Sequence, residues 1–66
     1  MNHYYFIENE TGEEFLVNAD TLSEARWVAD DVAYEISVSN GTDRCHAEFQ
    51  YEMTDDEAEA SGLDEY

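Results

Sequence analysis

The side chains able to do chemistry in this 66-residue chain are overwhelmingly carboxylates: eighteen Asp and Glu stand against Arg26 and Arg44, with no lysine, two histidines and one cysteine. Phosphates along one nucleic-acid strand lie roughly 6 to 7 Å apart, alternate residues of a β-strand about 6.6 Å apart, and helix residues four apart about 6 Å apart. Carboxylates held on such elements can therefore imitate a phosphate row. The candidates are Glu48 and Glu52 with Glu35 on the polar face of a hairpin, Glu24, Asp30 and Asp31 on a helix, Glu8, Glu10, Glu13 and Glu14 around a turn, and Asp55, Asp56 and Glu57 at the start of the tail. A protein that binds DNA by releasing counterions is drawn to such a surface by the same electrostatics.

Other chemistry finds little support. Cys45 and His46 are neighbours on an expected strand, so their side chains point to opposite faces and form no dyad. Cys45 reads as a small core residue, and His46 as a surface residue facing Glu35 across a hairpin. Carboxylates suit calcium or magnesium, but no D-x-[DN]-x-[DN]-G loop is present, and adjacent acids such as Glu13-Glu14 or Asp30-Asp31 lack loop geometry. No metal, no cofactor and no enzymatic activity is expected. A formal charge of −16 repels nucleic acid and anionic membranes, so the expected partner is the basic surface of a protein that itself binds nucleic acid. Ordinary soluble surfaces mix both signs of charge; this one does not.

To hold acids at defined spacing the chain must fold, and its 42% apolar content with nine aromatic residues, concentrated before Thr54, provides for that. One α+β domain is expected over residues 1–53, followed by an acidic tail, a short helix or disordered, over 54–66. HYYFIE (His3 to Glu8) and EEFLVN (Glu13 to Asn18) read as a hairpin closed at Gly12. A bulge at Gly12 after a type I turn would set Ile7 opposite Phe15 and Tyr5 opposite Val17, with Tyr4, Phe6 and Leu16 on the other face. Both faces are then partly apolar, so one must meet a helix and the other must be covered or left as a patch.

Thr21-Leu22-Ser23-Glu24 matches a capping box, and Leu22, Ala25, Val28, Ala29, Val32 and Ala33 follow at helical spacing, predicting a helix from Leu22 to Ala33. Tyr34 to Ser39 and Thr42 to Met53 flank Asn40-Gly41, which predicts a second hairpin. In it Cys45, Ala47, Phe49, Tyr51 and Met53 alternate with Arg44, His46, Glu48, Gln50 and Glu52. The expected order is β-β-α-β-β, an antiparallel sheet with one helix packed on one face and an acidic C-terminal tail. Thr54-Asp55-Asp56-Glu57 is a second capping-box match.

Small size, extreme acidity and a hairpin-plus-helix arrangement resemble the phage and mobile-element inhibitors that imitate DNA, among them anti-CRISPR proteins, restriction inhibitors and uracil-DNA glycosylase inhibitors. The resemblance implies a stoichiometric inhibitor that blocks a Lys- and Arg-lined channel in the cytoplasm of a prokaryotic host. It spans the character of the whole chain and transfers no residue by position. Two alternatives accompany it. One is an acidic adaptor that joins an assembly through an aromatic patch containing Trp27, or that pairs with a second copy across an open sheet face. The other is a halophile's small domain whose acids only hold water and salt.

Overall fold

The computed structural model describes residues 2–41 and 46–66. The chain runs β1 (Asn2–Glu8), β2 (Glu14–Ala19), α1 (Leu22–Asn40), β3 (Ala47–Met53) and α2 (Asp55–Ser61). The three strands form an antiparallel sheet in the order β2-β1-β3. The architecture is α+β, with the long helix α1 packed on one sheet face.

Being central, β1 needs two apolar faces, and its run of aromatic and β-branched residues supplies both. Tyr4 and Phe6 join Phe15, Val17, Ala19 and Ala47 beneath Ala25, Ala29, Val32 and Ala33 of α1. The three alanines and one valine let the helix approach closely, and Phe6 stacks on Phe15 at 5.8 Å between centroids. Tyr5, Leu16 and Met53 form a second cluster on the other face.

The first hairpin pairs Tyr4 with Val17, Tyr5 with Leu16, Phe6 with Phe15 and Ile7 with Glu14. This is one residue out of the register expected from a Gly12 bulge, and it exchanges the faces of Tyr4 and Phe6 with those of Tyr5 and Ile7. The cause is loop length. The Glu8 N–H donates to the Glu13 carbonyl and the Gly12 N–H to the Glu8 carbonyl, leaving a four-residue loop, Asn9 to Gly12, with Gly12 at φ 77°.

The second hairpin does not form. Residues 34–39, expected as a strand, and Asn40, expected in the hairpin loop, continue α1, and Gly41 ends it in the left-handed region (φ 69°) with its N–H donating to the Ser37 carbonyl. Asn40 Nδ2 also reaches the Ile36 carbonyl. Asn-Gly marks a positive-φ position in either structure, so the dipeptide alone does not choose between a hairpin and a helix end. Ile36 decides for the helix, since it extends the Ala29, Val32, Ala33 stripe by one turn and packs on the same core. The expected facing of His46 and Glu35 disappears with the hairpin. The readings of Cys45 and Arg44 fall on residues outside those described.

A further correction concerns β3. Its register against β1 shifts between Phe49, opposite Phe6, and Tyr51, opposite Tyr5. One residue is therefore extra, and the alternation reverses phase. Ala47 and Phe49 meet the α1 face, while Tyr51 and Met53 align with the opposite one, so the single apolar face expected for this strand is divided.

The tail folds back on the sheet. Thr54 caps α2 in a complete capping box with Glu57, and Ala58 and Leu63 pack against the Tyr5, Leu16 and Met53 cluster. Residues 64–66 then run parallel to β2, with the Leu16 N–H donating to Asp64, the Tyr66 N–H to Leu16 and the Asn18 N–H to Tyr66. The ring of Tyr66 meets Phe15 edge-on at 5.7 Å. The sheet face that sequence left open is thus covered by this chain's own end, and the open sheet edge among the described residues is that of β3, where a bulge and Glu48 and Glu52 oppose pairing with another strand.

Candidate partner-binding surface

Extension of α1 to Asn40 gathers acids that the sequence had divided between a helix and a strand. At about 100° per residue, Glu24, Asp31 and Glu35 fall within about 20° of one line along the helix. All three are exposed. About 60° to one side runs a second line of Trp27, Tyr34 and Val38, nearly opposite the buried alanines. These are 80%, 69% and 66% exposed, far more than three large apolar side chains require on a helix that already has a core face. Asp30 lies beyond that ridge on the other flank.

Towards its C-terminal end the acidic line meets the β1–β2 turn, where Glu13 and Glu35 line one shallow cleft with Val32, Ile36 and Tyr66. On the other flank of the helix Asp30 and Glu48 share a cleft with Arg26, His46 and Phe49, so negative charge there is partly balanced. The exposed Glu10 extends the field around the turn.

Other candidates are differently employed. Glu8 is fully buried, and its carboxylate accepts from the Glu10 N–H, the Thr11 N–H and the Thr11 hydroxyl, each at 2.6 Å. It builds the turn and presents no charge outward. Glu14 accepts from the Tyr5 hydroxyl, a contact that pushes the Tyr5 pKa up to about 12 because ionising the phenol would set two negative oxygens together. Glu48 aligns with Ile7 and Glu52 with Tyr4, positions on opposite faces of β1, so the bulge breaks the row expected from these two. Neither shares a strand ladder with Glu35, which sits on α1.

In the tail, Glu57 Oε1 accepts from the Thr54 N–H within the capping box, whereas Asp56 is exposed. Asp55 is held by His3. The imidazole of His3 contacts Asp55 through Nε2 and Glu65 through Nδ1, tying β1 to both ends of the tail. The hydrogen bonds to Glu65 and then Asp55 raise the His3 pKa above its ordinary 6.5, against a smaller opposing effect of burial.

Sequence reasoning missed Tyr34 and Val38 as surface residues because alternation with Ile36 made them look like strand positions. The seven-residue interval from Trp27 to Tyr34, followed by four to Val38, was the available signal. His3 and Glu65, 62 positions apart, gave none.

No protein-family model, curated protein or solved structure matches this chain. No helix among the described residues is long and apolar enough to cross a membrane.

Proposed function

We propose that this protein is a non-catalytic inhibitor that presents a DNA-like acidic surface to a basic, nucleic-acid-binding protein of a host defence or DNA-processing system, as anti-CRISPR proteins do. The observation that carries the proposal is the exposed line Glu24, Asp31 and Glu35 on a single rigid helix, continued by Glu13 at the turn. Such a line keeps its charges at fixed separations without lysine or arginine interspersed, and attracts surfaces evolved to meet phosphates. Its setting would be the cytoplasm of a prokaryotic cell.

The test starts from a prokaryotic lysate passed over immobilised wild-type protein and over the Glu24→Lys/Asp31→Lys/Glu35→Lys variant. Proteins retained by wild type at low salt are identified and assayed for DNA binding with this protein as competitor. A nucleic-acid-binding protein held in a salt-sensitive complex, displaced from duplex DNA by the wild-type chain and ignored by the variant, is the expected result. Equal retention by wild type and variant would remove the acidic line from the mechanism.

A further inference from the structure

The ridge beside the acidic line gives that surface a second chemistry. Trp27, Asp31, Tyr34 and Val38 follow intervals of four, three and four residues, the repeat of a helix-packing seam, over about 16 Å of axis at 1.5 Å per residue. Three of the four are large and apolar, and all are exposed. The opposite side of α1 is committed to the core, and among the described residues no element covers the seam.

Resting on the proposed acidic-surface function, we infer that this seam packs against a basic amphipathic helix of the partner. Charge complementarity selects that occupant. Glu24 and Glu35 border the seam on one side and Asp30 on the other, where a partner helix places its flanking residues. Asp31 interrupts the seam itself and calls for a lysine or arginine opposite, which sets the register as a lone polar residue does in coiled coils. A second copy of this chain would bring acidic flank against acidic flank between molecules of charge −16 each. Trp27 and Tyr34 have the size and rigidity of anchoring residues, and the acids around them form a polar rim.

The probe is a synthetic three-heptad peptide with leucine at the seam positions and lysine at the flanking ones, labelled with a fluorophore, compared with a peptide of the same composition in scrambled order. Binding to the full chain is read by anisotropy, and the environment of Trp27, the one tryptophan, by its emission. The heptad peptide is expected to bind with a blue shift of Trp27. Both scrambling and the Trp27→Ser/Tyr34→Ser variant should weaken binding at least about tenfold, the scale set by loss of anchoring aromatics. Circular dichroism verifies that the variant is folded, as expected for side chains this exposed. Equal binding of the scrambled peptide, unaltered binding by the double variant, or no binding at all overturns the seam while leaving the acidic line intact. Unaltered heptad-peptide binding by the Glu24→Lys/Asp31→Lys/Glu35→Lys variant instead overturns the electrostatic reading beneath it. A wild-type dimer by sedimentation, with Trp27 already buried, would make a second copy the occupant and also overturn the inference.

Discussion

His3 should make the attachment of the tail depend on pH. Its imidazole lies between Asp55 of α2 and Glu65 of the C-terminal edge, with Glu59 lining the same cleft and Tyr5, bonded to Glu14, next along that face. Because its folded-state pKa is raised, the histidinium contributes stability that is complete below the ordinary value of 6.5 and disappears as pH rises through the higher folded value. The magnitude follows from exposure. The Asp55 side chain is 88% exposed and that of Glu65 32%, so solvent screens both pairs and each is worth up to about 1 kcal/mol. A total of about 1 kcal/mol corresponds to about 4–8 °C in melting temperature for a domain of this size. Other acids also lose repulsion as pH falls, so the informative quantity is wild type minus His3→Gln, followed by thermal melts from about pH 5.5 to about pH 8.5. The difference should be largest at the acid end and shrink toward the alkaline end. Protection of the Leu16, Asn18 and Tyr66 amides, whose N–H groups join tail and sheet, should fall over the same range in wild type once the intrinsic base-catalysed exchange rate is divided out. A difference that is constant with pH, or that grows as pH rises, would refute the electrostatic role of His3.

Two further outcomes test the structural assignments. Glu8→Gln preserves shape but turns an amide NH₂ toward converging N–H donors, and should cost about 2–3 kcal/mol and roughly 10–20 °C in melting temperature. The exposed control Glu10→Gln should stay within about 0.5 kcal/mol, and equal melts for the two would return Glu8 to the surface. Deletion of residues 54–66 uncovers Leu16, Tyr5 and Met53 and removes three backbone hydrogen bonds at the edge of β2. That loss, about 3–5 kcal/mol, compares with a total of about 3–10 kcal/mol for a domain of this length, so the truncated chain should be unfolded or aggregated at 37 °C. A truncated chain that melts like wild type would make the tail an appendage.

The capped start of α1 at Thr21, the turn at Gly12 and the α2 capping box were legible in sequence because each depends on a few adjacent residues whose hydrogen bonds are local. The acidic character of the surface was equally plain, since no pairing could neutralise eighteen carboxylates with two arginines. Which acids face outward together was not legible. Glu8 is swallowed by its own turn, the bulge in β3 separates Glu48 from Glu52, and Glu35 joins Glu24 and Asp31 only because α1 runs on to Asn40.

Composition and local pattern determined by themselves that this chain folds as α+β and that its surface is negative, for both are sums over residues. Tertiary structure alone decided the fates of Tyr34 to Asn40 and of the tail. The first segment alternates like a strand and repeats like a helix, and burial of Ile36 with Ala29 and Val32 resolves that near-degeneracy. The second has too little apolar surface to order itself. It gains order from a sheet face and an unpaired β2 edge that exist only once the rest has folded, and His3 then binds it from the other end of the chain.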